Sequence, residues 1–387
     1  MTFTPRKETD LKPTRADQIS AAPSTLPAAR LWFVDNLRVI LTALVILHHI
    51  AVTYSGLSVW YYNEKPASAA VGLGLTIFAL VNQSWFMGAF FLLSGYFTPG
   101  SYDRKGPRAF LRDRLVRLGI PLAVFYFVLN PLLYLGAYPG GSPVDFYLRT
   151  IGSGPLWFVL ALFVFDGAYA AFRHLTRNRT PRERRSQPLT YPMVLGFVLA
   201  LALTTYAWRV IVPEGTFVPI IGFPSSGYLP QYISFFVLGT VAYRRGWLTT
   251  ITAAMGWGGL GLATGATLIF LPVALMGGTT AIFGHGTLSS LFYALWDSTF
   301  AVGMVLALLT FFRGKVNGHG PVRRYLSSNV FAVYVIHAFV VTAAGYALST
   351  AAVPTLAKFA IGAVVALPVC FLLAGAIRKL PGVRRVL

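Results

Sequence analysis

Residues 31–56 read LWFVDNLRVILTALVILHHIAVTYSG. The only charged side chains in this stretch are Asp35 and Arg38, and its only histidines are His48 and His49. An apolar run of this length crosses a bilayer as a helix. Arg38 and His49 are eleven residues apart. That is three helical turns, which sets them on one face roughly 16 Å apart along the axis. One then sits near a membrane surface and the other near mid-bilayer. A cation and an imidazole are costly in lipid, so their presence on one face asks for a function.

The rest of the chain repeats the pattern. Its 387 residues are 56% hydrophobic and 11% charged, with a mean hydropathy of +0.64. The apolar runs predict an all-α polytopic membrane protein of about ten helices, at roughly 31–56, 72–98, 114–136, 154–173, 190–210, 228–243, 252–276, 288–312, 327–350 and 355–377. A net charge of +20 would suit nucleic acid, but the cations cluster in the short loops between apolar runs. With the N-terminus inside and loops alternating, 28 of the 32 Lys and Arg fall on one side, leaving Lys65, Arg149, Arg209 and Lys358 on the other. That bias follows the positive-inside rule, with both termini cytoplasmic and no nucleic-acid partner.

Residues 1–30 are polar and rich in Pro, Ser and Thr, which predicts a disordered cytoplasmic tail without a cleavable signal peptide. Residues 31–378 form the transmembrane domain, and 379–387 a short basic cytoplasmic tail. Cys370, the single cysteine, lies in an apolar run, where a thiolate is disfavoured. His48 projects about 100° around the helix from His49, so the two make no chelating pair. No HExxH occurs and the six histidines are scattered, so no metal site is expected. Gly256-Trp-Gly258-Gly-Leu-Gly261 fits a dinucleotide fingerprint, but no strand precedes it. It reads instead as a surface for close helix packing, together with Gly261-x-x-x-Gly265. No G-x-S-x-G elbow and no phosphate-binding loop appear.

Each remaining candidate has two readings. His49 serves either as a general base, since a low-dielectric bundle disfavours the imidazolium, or as a hydrogen-bonded core histidine. Arg114 and Arg117 are neighbours on one helix face, where two guanidinium forks suit phosphates. Ordinary topology explains most basic loops equally well. Asp166 and Asp297 lie inside spans and must pair or face a cavity. Asp297 either orients a site group or pairs with a cation such as Arg209. Tyr334 and His337 share a face of the ninth helix, lining a pocket or bonded to each other in the core. Trp157 either stacks on a ligand or anchors the outer interface.

Arg38 followed by ten residues and His49 resembles the signature of the acyltransferase 3 family of integral membrane acyltransferases. So do the lead-in Val34-Asp35-Asn36-Leu37-Arg38 and the run Phe90-Phe91-Leu92-Leu93-Ser94-Gly95-Tyr96. The pair Arg114-x-x-Arg117, Gly154-Pro-Leu-Trp157-Phe158, Gln231-Tyr232-Ile233 with Gly239, and Ser328 to His337 continue the resemblance in order from about 31 to 378. Some members carry a glutamate five residues after the fourth-helix tryptophan; here that position is Leu162. The Leu-Trp-Phe pattern is closer to the subgroup that includes glucan-modifying members.

The resemblance implies transfer of an acyl group, acetyl or similar, from acyl-CoA to a hydroxyl of a carbohydrate or other cell-envelope acceptor. It implies His49 as base, Arg38, Arg114 and Arg117 as donor-binding residues, and Asp35, Ser94, Tyr96, Trp157, Asp297, Tyr334 and His337 as pocket or supporting residues. Acyl-CoA would be a co-substrate with no permanently bound cofactor, in a bacterial cytoplasmic membrane. Direct transfer in a ternary complex is the simpler course. A proton-coupled secondary transporter is the alternative from another class, favoured by intramembrane His, Asp and Arg but lacking an inverted repeat. Transfer to an amine would use similar chemistry.

Overall fold

The computed structural model describes residues 30–176, 187–218, 223–224 and 226–387; the expected polar tail lies outside the described residues save Arg30. Two compact units are distinguished, Met1–Leu31 and Trp32–Leu387, and the first falls almost wholly outside the described residues. Among the described residues no strand is present, and nine helical segments are long and apolar enough to cross a membrane. They are α1 (Trp32–Ser55), α2 (Ala69–Lys105), α3 (Pro107–Ala137), α4 (Pro143–Leu175), α5 (Tyr191–Ile211), α7 (Ala253–Leu275), α8 (Leu288–Lys315), α9 (Pro321–Leu348) and α10 (Thr355–Ile377). Between α5 and α7 lies α6 (Leu229–Arg245), whose 17 residues fall just short of that length. At 1.5 Å per residue it is about 26 Å long, close to the hydrocarbon thickness, so the expected ten-helix multi-pass layout stands with a short sixth member.

The inner helices are α1, α2, α8 and α9, with more than half of the spanning stretch buried, whereas about a quarter of that of α7 and α10 is buried. Leu268 and Ile269 on α7 and Val364 and Leu372 on α10 are exposed, as apolar side chains facing lipid should be. Around α1, the side chains of Ile46, Ile50 and Tyr54 pack with Val333, Val340 and Val341 of α9 and with Ala366, Cys370 and Ala374 of α10. Cys370 is therefore a core residue. The start of α1 is tied down by Asn36, whose Nδ2 donates to the carbonyls of Val316 at 2.6 Å and Gly318 at 3.0 Å, just past α8.

Glycine sets the closest crossings. A methyl group added at Gly95 of α2 would run into the Phe236 carbonyl of α6, and one at Gly239 into the Leu92 carbonyl. Small residues thus let α2 and α6 touch backbone to backbone. Between α7 and α8 the touching pair is Gly259 and Gly303, each aimed at the other's carbonyl. Here the sequence reading needs correction: Gly261 and Gly265 face open space, so the packing surface on α7 is the stripe that contains Gly256 and Gly259. Those stripes lie on different faces of the same helix, and spacing alone does not tell which face has a neighbour.

Helices are broken near the cavities described below. α2 is interrupted at Ser84–Trp85, and Nε2 of Gln231 on α6 donates to the Ser84 carbonyl at 2.7 Å. α3 contains π-helical turns at Leu115–Gly119 and Phe125–Leu129, each followed by a proline, Pro121 and Pro131. Proline removes a ladder donor, and a widened turn accommodates the gap.

At one end of the bundle, Asp103 at the end of α2 pairs with Arg173 of α4 and Arg244 of α6 at 3.2 and 3.0 Å. This basic end carries the Arg-rich loops. At the opposite end Lys358 pairs with Glu64 at 2.8 Å.

Candidate active site

α1 and α9 bring His49 against His337. Nε2 of His337 lies 3.1 Å from Nδ1 of His49, and Nδ1 of His337 lies 2.7 Å from the carbonyl of Tyr334. A carbonyl only accepts, so His337 carries its proton on Nδ1 and presents a bare Nε2. That Nε2 in turn accepts from Nδ1–H of His49. In that tautomer Nε2 of His49 carries the lone pair, and the His49 ring also has a hydrogen bond with the Val45 backbone. The neutral pair is therefore arranged with one basic atom pointing away from the relay. His337 is fully buried, and the His49 ring is stacked on Trp60 at a centroid distance of 4.0 Å. His48 stacks instead on Phe86 and meets His49 edge-on. Among the described residues no group of three or more His, Cys, Asp or Glu could hold a metal.

Two cavities lie nearby; His49 lines the first and His337 neither, while Tyr334 lines the second. One, of about 410 Å³, opens toward the end away from the basic loops and is lined by His49, Trp60, Tyr61, Tyr134, Arg149 and Trp157, among others. The second, of about 500 Å³, lies at the basic end. Arg38, Ser94, Arg114, Arg117 and Tyr334 line it, together with Arg378, Arg384 and Arg385. The partition is thin. Trp157 lines the first cavity and its neighbour Phe158 the second. The Tyr334 hydroxyl, on the second, donates to the carbonyl of Pro155, on the first. Phe158 packs edge-on against Tyr334, completing the wall.

The walls are fixed by buried polar contacts. Tyr61 bonds Asn130, whose Nδ2 donates to the Thr150 carbonyl at 2.6 Å, holding the break in α4 after Thr150 against α3. Tyr61 lies outside the helices, and burial pushes its phenol well above its ordinary value, so it stays a neutral donor. Trp157 stacks on Tyr232 of α6 and is buried, so it lines the cavity and is not a lipid-interface anchor.

The other sequence candidates separate into two groups. Arg38, Ser94, Arg114 and Arg117 meet at the basic cavity. Arg114 pairs with Asp166 through Nε at 2.7 Å, and Thr98 donates to the same carboxylate at 2.7 Å. Arg117 pairs with Asp113 at 3.3 Å, and Arg38 with Asp35 at 3.9 Å. Tyr96 and Asp297 line neither cavity. Tyr96 packs on Tyr243 of α6. Asp297 pairs with Arg209 at 2.7 Å, the partner its position suggested, and Glu214 joins them at 3.5 Å. This cluster is roofed by Tyr228 and Tyr293. Trp60, Tyr61, Asn130, Tyr134, Arg378, Arg384 and Arg385 join these walls without a motif or periodicity in the sequence that marks them as site residues.

The acyltransferase 3 family model, described as an acyltransferase domain, matches residues 31–375. Glucans biosynthesis protein C of Escherichia coli O157:H7 strain EC4115 is 27% identical over 238 residues, covering 56% of this chain and 59% of that protein. The protein of the same name from Escherichia coli K12 is 27% identical over 237 residues, with the same coverage. The match thus spans about 59% of the length of these curated relatives.

Proposed function

Since the chain belongs to the acyltransferase 3 family, we propose that this multi-pass membrane protein moves an acyl group from acyl-CoA in the basic cavity to a hydroxyl in the opposite cavity, with His49 as general base. The observation that carries this reading is the thin partition at His49, Tyr334 and Pro155 between two cavities of opposite character. A donor and an acceptor entering from opposite ends would meet at that wall.

The chemistry follows from the tautomer. Nε2 of His49 takes the proton of the acceptor hydroxyl while the oxygen attacks the thioester carbonyl. The tetrahedral intermediate collapses, the carbon–sulfur bond breaks, and the CoA thiolate recovers the proton from His49. The products are an ester and free CoA. His337 accepts from Nδ1 of His49 throughout, holding the ring in the orientation that exposes Nε2. A positioned general base contributes on the order of 10²–10⁴ in rate.

Arg38, Arg114 and Arg117 would receive the donor's diphosphate, since guanidinium forks match phosphate oxygens. The acceptor is a carbohydrate. Trp60, Tyr61, Tyr134 and Trp157 give the opposite cavity the flat aromatic walls on which sugar faces stack, and the matched relatives are named for glucan biosynthesis. By the cation bias the basic end faces the cytoplasm, where acyl-CoA is found, and the acceptor enters from the other side.

The test uses purified protein in detergent with acetyl-CoA and β-glucan oligosaccharides, following free thiol and ester. His49→Ala should bind CoA like the wild type and release almost none under turnover. Normal turnover in a folded His49→Ala protein would end the general-base assignment.

A further inference from the structure

The last residues of the chain read Arg378-Lys-Leu-Pro-Gly-Val-Arg384-Arg385-Val-Leu387. Composition gives them the bland role of a basic tail. The structure folds them back onto the basic cavity. Gly382 adopts φ +78°, a left-handed turn that a side chain would strain, and a helical turn at Val383–Arg385 follows. Arg384 and Arg385 then join Arg378 on the cavity wall.

The cations around this cavity differ in their partners. Arg38, Arg114 and Arg117 each have a carboxylate within ion-pair distance: Asp35, Asp166 and Asp113. Their charge is balanced only in part, since Asp113 is shared with Lys105 at 2.8 Å and Asp35 lies 3.9 Å from Arg38. Arg378 donates to the Ser328 carbonyl, to Asn329 Oδ1 at 2.9 Å and to a backbone oxygen of Leu387 at 3.0 Å. Among the described residues neither Arg384 nor Arg385 has an Asp or Glu within 4.0 Å. Burial first, and then the adjacent Arg384 charge, hold the Arg378 guanidinium below its ordinary value. Arg384 and Arg385, adjacent like charges with no Asp or Glu beside them among the described residues, repel each other, and a dianion relieves that repulsion.

Depth assigns the ligand group. The Arg114 side chain is 19% exposed against 39% for Arg38 and 61% for Arg117, and Arg384 and Arg385 are exposed at the mouth. In an acyl-CoA the thioester and the ribose 3′-phosphate are at opposite ends, with the diphosphate between them. A thioester at His49 therefore sets the diphosphate near Arg38 and Arg114 and the 3′-phosphate outermost.

We infer that Arg384 and Arg385, backed by Arg378, form the subsite for the ribose 3′-phosphate of the acyl-CoA donor. The inference rests on the acyl-CoA reading above and adds the group by which this donor is told from its dephosphorylated analogue.

The experiment measures binding of CoA and of 3′-dephospho-CoA to the full chain in detergent, for wild type and Arg384→Ala/Arg385→Ala. Wild type should prefer CoA by about tenfold or more, the effect of hydrogen bonds to a charged group. The double variant should lose that preference by weakening CoA alone, with dephospho-CoA affinity and melting temperature unchanged. Arg384→Lys/Arg385→Lys, which keeps the charge, should recover part of it. A preference that survives in the alanine variant, or is absent in wild type, overturns the subsite while leaving the acyl-CoA donor in place. Wild type that binds neither compound overturns the donor reading and the subsite with it.

Discussion

Two polar clusters are buried in this bundle, and they are built in opposite ways. Arg209, Asp297 and Glu214 form a charged cluster in which the guanidinium has two carboxylates at hand and aromatic rings over it, and its residues line neither of the two cavities. His49 and His337 form a pair with no Asp or Glu partner among the described residues, and His49 lines the aromatic cavity. Ionisable groups at membrane depth are expected to be functional. The contrast shows that depth is insufficient as a criterion. What separates the two is the cavity: His49 opens onto one, whereas the charged cluster lines neither, although Nη1 of Arg209 has no hydrogen-bond partner among the described residues.

The sharpest way to break this comparison is to cross stability against activity. His49→Ala should lower turnover by about 10²–10⁴ with little change in melting temperature. Asp297→Ala should do the reverse. Removing one partner of a buried ion pair leaves an uncompensated charge and costs about 3–5 kcal/mol. Its folded fraction should still turn over acetyl-CoA near the wild-type rate. Loss of activity without loss of stability in Asp297→Ala would move that cluster into the site.

A smaller effect tests the relay. His337→Ala removes the acceptor that fixes the His49 tautomer, and partners of this kind are worth about 10–100-fold. The loss should fall on kcat, with KM unchanged, because the ring touches neither ligand. His337→Gln, which offers an oxygen acceptor, should recover part of the rate. Equal loss in both variants would make His337 a packing residue. Tyr334→Phe comes next. It deletes one hydrogen bond across the partition, worth about 1 kcal/mol, and should change turnover severalfold while raising hydrolysis of acetyl-CoA as water crosses the wall.

Much of this layout was readable in the chain. Long apolar runs end where basic loops begin, so most helix ends follow from the sequence, even those of the short α6; α2, α3, α4 and α9 run six to eleven residues beyond their apolar runs at one end, because polar and proline-containing turns continue the helix there. Arg38 and His49 stood out because a polar group in lipid has no bland surroundings to hide in. Trp60, Tyr61 and Asn130 were not readable, because a tertiary turn after α1 and a break in α3 bring them together, and neither leaves a periodic signal. Arg384 and Arg385 were hidden differently. The positive-inside rule already accounts for cations at a helix end, so their second use shows only when the Gly382 turn folds them over the cavity.

The smallest effect sharpens the contrast from the charged side. Glu214 lies in the loop after α5, and its carboxyl is pushed up from its ordinary value by burial, against the pull of Arg209 and with a further push from Asp297. A carboxyl raised in the folded state binds its proton more tightly there than in the unfolded chain. Its contribution to stability is therefore full below the ordinary value of 4.5 and lost as the pH rises through the raised value. The melting temperature in detergent should fall slightly over that window in wild type. Glu214→Gln cannot ionise and should remove that part of the slope, leaving turnover at any one pH unchanged. A flat wild-type profile would mean that Arg209 balances both carboxylates fully. A turnover change that follows Glu214 ionisation would mean that the charged cluster reaches the site after all, through the Tyr228, Tyr232 and Trp157 stack that joins the two clusters.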